Sequence, residues 1–339
     1  MLSNVKTLIL GGGGIKSVAY LGAFEAMIDR GLDWHAFTDQ LQVVAGSSAG
    51  SFSAALIGMG LSIDTLNQLL VAFDAKVLFA PNVVDTMIQG LSTVFSYTDY
   101  GIIHYERLQS LYESVFRQAN VDPKMTLLEY KEWTGKRLDV YVTNLSTKTL
   151  ECWNAITQPH IPVTFALTVS SAIPFVVTAP VIAGHLYGDG GIMSNVPITG
   201  SYAPHESLAM MLDLEPAGHL MQAVPSWFGH HLSRILDAIY EGHRMPHAMY
   251  DPLWEWNIMR LHTESITLMD TFSSEKLPVD KLKMAKSDGA RSAMVWWTGR
   301  LVVINWVCRG LELVEKKSSQ SRTSMSNGLV GDELTHRES

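Results

Sequence analysis

Cysteine is scarce in this chain of 339 residues: Cys152 and Cys308 are the only two, far apart in sequence. Two such residues build neither a disulfide framework nor a structural zinc site, so a reducing compartment is expected. Basic residues are in the minority, with 25 Lys and Arg against 33 Asp and Glu and a formal net charge of −8. Such a surface has no basic footprint to release counterions from a phosphate backbone, which excludes nucleic acid as a partner, and simple electrostatic docking on anionic lipid is disfavoured. Long apolar runs are missing too. The longest, Ala293 to Cys308, is interrupted by Arg300 and falls short of the roughly 20 residues that cross a bilayer. Val5 to Leu10 is short and runs into glycines instead of a cleavage site. The expectation is therefore a protein not secreted by a signal peptide, cytoplasmic or peripheral on a membrane. What is present is a composition of 47% hydrophobic and 17% charged residues, ordinary for one large globular domain or two small ones.

Lys6 to Leu10 reads as a buried strand, closed by Gly11 to Gly14 and followed by a helical pattern from Ser17 to Arg30. The device recurs at once. Leu41 to Ala45 reads as a second strand, Gly46 to Gly50 as its turn and Ser51 to Met59 as a small-residue helix. Strands alternating with helices predict an α/β fold with a mostly parallel central sheet covered by helices on both faces. In such sheets ligands sit at the carboxyl ends of the strands, where both glycine-rich turns fall. Asp64 to Trp133 reads as helical and loop-like, broken near Phe79 to Asn82 and Tyr97 to Tyr100, and suits a cap over the site. Leu138 to Thr143, Ile182 to Tyr187 and Ser207 to Leu212 read as further strands, and Val163 to Ala172 as a helix stopped by Pro174. Beyond about residue 215 the pattern changes. Phe228, Leu232, Ile235, Leu236 and Ile239 mark one amphipathic helix, six of nine tryptophans gather there, and residues 318–339 are polar and without period.

Three segments carry chemistry. Gly46-Ser-Ser-Ala-Gly50 fits G-x-S-x-G, which sets a serine, here Ser48, on a sharp strand-to-helix turn with small neighbours and aims a helix N-terminus at a developing oxyanion. By itself the pentapeptide also fits a plain Gly/Ser turn. Gly11 to Ser17 fits neither a nucleotide phosphate loop, since Ile15 precedes Lys16, nor a dinucleotide fingerprint, since the third glycine position falls on Lys16 or Ser17. It reads as amides able to bind an anion, or as a tight turn. Asp189 in Gly188-Asp-Gly-Gly191 is a carboxylate at a strand end that could be a base or orient one, and D-G-G is also a common turn.

Together these segments resemble the patatin-like phospholipase family. Its G-G-G-x-[KR]-G, G-x-S-x-G and D-G-[GA] motifs are matched, in order, by Gly12-Gly-Gly-Ile-Lys-Ser17, Gly46 to Gly50 and Asp189-Gly-Gly191. Ala19 to Ala23, Ser170-Ser-Ala-Ile-Pro174 and Asp189 to Pro197 are similar to family sequence as well. The resemblance covers about residues 5–205, taken as the catalytic domain, with 206–317 as a helical C-terminal extension and 318–339 as a disordered tail.

The resemblance implies a patatin-like three-layer fold and a metal-independent serine lipid acyl hydrolase without cofactor. Its substrate would be a phospholipid, lysophospholipid or other acyl ester, with peripheral membrane contact. Ser48 would be the nucleophile and Asp189 its proton acceptor, with no histidine. Gly12, Gly13 and Gly14 would form the oxyanion hole, supported by Lys16, Gly46, Gly50, Gly190 and Gly191. Lys16 would lie near substrate phosphate or be a solvated first-turn lysine. Three alternatives stay open. His205, His219 or His230 could complete a triad with Ser48 and Asp189. Ser17, where the family has glycine, is strained if that position needs a positive φ and tolerable if it only permits close packing, and the alternative function is a low-activity or inactive patatin scaffold serving as a membrane-docking or regulatory protein. Trp296, Trp297 and Trp306 are candidates for lipid contact, or core residues of a closing helix.

Overall fold

Strand β1, Thr7–Leu10, buries all four of its side chains. A strand with no exposed face belongs inside a sheet covered on both sides, and a continuous apolar run is the sequence form of that position. The computed structural model describes residues 2–72, 101, 103–213, 239, 254, 257–263, 265–266 and 278–300. It places β1 within an eight-stranded sheet with β2 (Val43–Ser47), β3 (Arg137–Asn144), β4 (Thr149–Trp153), β5 (Val181–Ile182), β6 (His185–Asp189), β7 (Ser207–Leu212) and β8 (Ile258–Leu261). The order is β5-β6-β3-β2-β1-β7-β8, with β4 on the remaining edge of β3. Strands β8, β7, β1, β2 and β3 pair in parallel, whereas β4 and β6 run antiparallel to β3.

Helices flank this mostly parallel sheet. They are α1 (Val18–Ile28), α2 (Trp34–Gln40), α3 (Ala49–Gly58), α4 (Ile63–Ala72), α5 (Tyr105–Gln118), α6 (Leu127–Thr134), α7 (Val163–Ser170) and α8 (279–300). Local chemistry fixes their ends. Thr126 accepts the Glu129 N–H while the Glu129 carboxylate accepts the Thr126 N–H, a capping box that starts α6, and Gly135 at φ 71 stops it.

The pairing on β3 decides where the site forms. Strand β2 pairs with Arg137 to Tyr141, β6 with Val142 to Asn144, and β4 with Val140 to Asn144. Because β4 overlaps both others along β3, it must occupy one edge, and β2 and β6 share the opposite one. They run in opposite directions along that edge. Their C-terminal ends therefore meet head-on, with Ser47 opposite Tyr141 and Asp189 opposite Val142.

Several elements differ from the sequence expectation. Strand β2 runs to Ser47, two residues into the glycine motif. Ile182 to Tyr187 is a hairpin instead of one strand, because Ala183 and Gly184, at φ 50 and 81, turn the chain back between Ile182 and His185, as a two-residue turn of the primed type does. Strand β4 was not expected at all. Strand β8 places a sheet strand, parallel to β7, in the segment expected to be a helical extension, and β7 itself lies past the boundary set at 205. By backbone contacts the chain divides after Met294. The breaks at 79–82 and 97–100, the amphipathic segment 228–238, the apolar run beyond 300 and the tail lie outside the described residues.

Candidate active site

Ser48 follows β2 and caps α3 with φ 52 and ψ −135, a conformation that L residues avoid at a cost of order 1–3 kcal/mol. Its surroundings hold it there. The Ser48 N–H donates to Ser170 Oγ at 2.9 Å, and its carbonyl accepts the Ser51 hydroxyl at 2.6 Å. The flanking glycines act through space. A Cβ on Gly46 would stand 2.5 Å from the Ser51 nitrogen, and one on Gly50 would stand 2.2 Å from the Leu10 carbonyl oxygen, so α3 starts in backbone contact with β2 and with the end of β1 only because these two residues lack side chains. Ser48 is 5% exposed.

Asp189 ends β6 and is fully buried. Its Oδ1 accepts the Gly191 N–H at 2.7 Å, its N–H donates to the Ala172 carbonyl at 2.9 Å, and its own carbonyl accepts the Thr143 hydroxyl at 2.8 Å. The next residue seals the junction of the two strand ends, since a Cβ on Gly190 would lie 2.1 Å from the Tyr141 carbonyl oxygen and 3.1 Å from Ser47 Oγ. Ser47 Oγ donates to the Ser194 carbonyl at 2.7 Å, tying the residue before Ser48 to the loop after Asp189. Burial pushes the Tyr112 phenol above its ordinary value; its hydrogen bond with Ser171 opposes that, and the negative charge of Asp189 adds to it.

The glycine loop lies against the nucleophile. A Cβ on Gly12 would come within 3.0 Å of Ser48 Cβ. Gly12 is nevertheless a wall and not a donor, contrary to expectation, because its N–H is held by the Asn195 carbonyl at 3.0 Å. Gly14, at φ 54, turns the chain into the short helix Gly14–Ser17. Ser17 sits at φ −57 and ψ −16, ordinary right-handed backbone, so the departure from glycine costs no strain. It lines a mostly apolar recess with Val18, Leu56 and Leu66 between α1, α3 and α4. Lys16 is not a solvated first-turn lysine: it is fully buried, and its Nζ donates to the Asp213 carbonyl at 2.7 Å, just past β7.

His205 is in the turn Pro204–Glu206 that precedes β7. Strand β7 starts beside Thr7 and Val43, so His205 lies at the opposite end of the sheet from Ser48 and cannot join it; His219 and His230 lie outside the described residues. Sequence reasoning missed the role of the end of α7. Ser170 Oγ holds the Ser48 N–H and donates to the Tyr141 carbonyl at 2.7 Å, Ser171 accepts the Tyr112 hydroxyl at 2.9 Å, and Ala172 holds the Asp189 N–H. Phe52 stacks on Tyr112 with centroids 4.7 Å apart. The Ser170 to Pro174 run was the available signal, legible only as family resemblance. Trp296 and Trp297 are half-buried on α8, the Arg300 guanidinium lying 4.7 Å from the Trp296 ring centroid. Trp306 lies outside the described residues. Among the described residues no cluster of His, Cys, Asp and Glu could hold a metal, and no helix is long and apolar enough to cross a membrane.

A serine at a strained elbow with a glycine loop against it, and a buried carboxylate at the adjoining strand end, are groups that acyl transfer can use. The family model for patatin-like phospholipase matches residues 8–201. The chain belongs to the patatin-like phospholipase family. It is 27% identical over 201 residues to an uncharacterized protein of Acanthamoeba polyphaga mimivirus, covering 58% of this chain and 61% of that one. It is 24% identical over 193 residues to a protein named "Probable lipid hydrolase" from Invertebrate iridescent virus 6, covering 57% and 62%. The match thus spans about three fifths of each viral relative. Among solved structures, VipD from Legionella pneumophila superposes with a TM-score of 0.55 at 19% identity, covering 87% of this chain and 67% of that one, which shows the shared patatin-like fold.

Proposed function

We propose that this patatin-like protein is a serine lipid acyl hydrolase that cleaves fatty-acyl esters of phospholipids or lysophospholipids through a Ser48–Asp189 dyad. The observation that supports the reading is the head-on approach of β2 and β6 on one edge of β3, with Ser47, the residue before Ser48, opposite Tyr141 and Asp189 opposite the next residue, Val142. Ser48 Oγ attacks the ester carbonyl carbon while Asp189 accepts the hydroxyl proton. The amides of Gly13 and Gly14 and the N-terminus of α3 stabilise the tetrahedral oxyanion, a contribution of several kcal/mol in a water-poor site. Its collapse expels the lysolipid or glycerol alkoxide, which takes the proton back from Asp189 and leaves an acyl-enzyme. Water, deprotonated by the same carboxylate, then attacks that ester and releases the fatty acid. No histidine is needed, since one carboxylate handles the proton in both halves.

The reading of an inactive docking scaffold rested on Ser17, and the right-handed backbone there removes its support. Fatty-acid release from mixed phospholipid vesicles tests the proposal. Wild type releases fatty acid, while Ser48→Ala and Asp189→Asn lose it with unchanged melting temperatures. Release by either variant in a pure preparation contradicts it.

A further inference from the structure

Between Glu151 and Glu206 the sequence has no Lys, Arg, Asp or Glu except Asp189, in a chain that is 17% charged overall. Part of that stretch is interior strand and helix, where the absence is ordinary. Part of it is surface. From Ser171 to Gly190 every exposed residue is apolar: Phe175, Val181, Ala183, Gly184 and Leu186. Phe175 is 45% exposed, Val181 66% and Leu186 36%, and exposed apolar side chains that cluster, unlike single ones, mark interaction sites.

The fold sets Val181 and Leu186 side by side and ties the segment that carries Phe175 to the same strand. Val181 and Leu186 are direct partners across the β5–β6 hairpin and so project from the same face. The segment from Ala172 to Pro180 is pinned to β6 at both ends, Ala172 accepting the Asp189 N–H and Pro180 the Tyr187 N–H, each at 2.9 Å. Phe175 rises between those pins at φ 66, a conformation in which a bulky aromatic is a true outlier. The hairpin leads straight into the site, with Leu186 three residues before Asp189 on the same strand.

We infer that Phe175 and the β5–β6 hairpin form the surface by which this protein inserts into the interface of a lipid bilayer. The inference rests on the lipid hydrolase reading, because a buried dyad must be brought against the aggregate that holds its substrate. A bilayer suits this surface better than a protein does. The exposed side chains offer no charge and no hydrogen-bonding group to set the register of a protein partner, and apolar insertion needs none. With a net charge of −8 the chain has no general attraction to anionic lipid, so its grip comes from apolar area, and the absence of exposed Lys, Arg, Asp or Glu from Ser171 to Gly190 spares it the desolvation of ionised groups.

The test uses the full chain and sonicated vesicles of ether-linked phosphatidylcholine, which no esterase can cleave, with binding read by co-sedimentation. Wild type binds, and its binding holds between about 0.1 and 1 M salt because no screened charge is involved. Phe175→Asn, which suits a positive φ, and the double variant Val181→Ser with Leu186→Ser each bind about tenfold more weakly, while hydrolysis of a short soluble ester stays within about twofold of wild type. Wild type that stays in the supernatant, variants that bind like wild type, or binding abolished by salt would each overturn the inference. If the double variant does not fold, Val181→Trp replaces it: added emission quenched by brominated phosphatidylcholine supports insertion, and unquenched emission contradicts it. A wild type that binds vesicles but fails to cleave the soluble ester would sink the hydrolase reading alone.

Discussion

Ser170 holds Ser48 by its backbone: the Ser170 hydroxyl oxygen accepts the Ser48 N–H at 2.9 Å, and the hydroxyl donates to the Tyr141 carbonyl at 2.7 Å. All of Ser170 is buried, so no water can replace it without rearrangement. Two residues on, the Ala172 carbonyl holds the Asp189 N–H. One helix end thus fixes both members of the proposed dyad.

Ser170→Ala should therefore damage catalysis without touching substrate. It strips an acceptor from the Ser48 N–H and a donor from Tyr141, at about 1–3 kcal/mol of stability, and frees an elbow held against its own backbone strain. We expect kcat to fall about tenfold or more with KM little changed, read from steady-state kinetics on a soluble ester. A change in KM alone would remove Ser170 from the positioning role.

Ser17→Gly should leave kcat/KM within about twofold, because serine already sits in right-handed backbone. The variant should be less stable by roughly 0.5–1 kcal/mol, the entropic cost of glycine in a helical turn, visible as a lower Tm. A tenfold loss of activity, about 1.4 kcal/mol of transition-state stabilisation, would mean that the hydroxyl takes part in the reaction.

Gly50→Ala and Gly60→Ala form a contrasting pair. A Cβ on Gly50 meets the Leu10 and Gly11 carbonyl oxygens at 2.2 and 2.4 Å, backbone that cannot swing aside, whereas one on Gly60 meets nothing within 4 Å and contends only with its φ of 72. The first variant should fail to fold or lose several kcal/mol, and the second about 1–2 kcal/mol. Thermal denaturation followed by circular dichroism separates them.

How much of this was legible in the sequence differs by element. The runs at Thr7–Leu10 and Ser207–Leu212 announced buried strands because their apolar character is continuous, and the three glycine motifs announced turns because their spacing leaves no room for side chains. Strand β8 was hidden, since Ile258–Leu261 is short, contains Arg260 and finds its partner Leu212 from far away in sequence. The approach of the β2 and β6 ends, which carry the proposed dyad, was legible only as family resemblance. Its physical cause, two strands sharing one edge of a third, is a pairing that no local pattern encodes. Lys16 misled for a related reason: a lysine is normally solvated, and only the fold brings the Asp213 carbonyl to its buried ammonium.

Cys152 offers a test of the interior beside the site. Burial, with the charge of Asp139 adding to it, pushes its thiol up to about 12 from an ordinary 9.0. The folded state thus keeps a proton that the unfolded chain gives up near pH 9, so its contribution to stability is complete below that pH and is lost as pH rises toward 12. In a Cys308→Ala background, alkylation by iodoacetamide at about pH 8 should be on the order of a hundredfold slower than after denaturation. Equal rates would show that the thiol is open to solvent.

The most direct test of the central claim is covalent labelling by a long-chain alkyl fluorophosphonate, mapped by mass spectrometry. Wild type should take up one equivalent on the peptide carrying Ser48, Asp189→Asn should label at least about a hundredfold more slowly for want of a proton acceptor, and Ser48→Ala should not label. An adduct on any other residue, or full labelling of Ser48→Ala, would contradict the account.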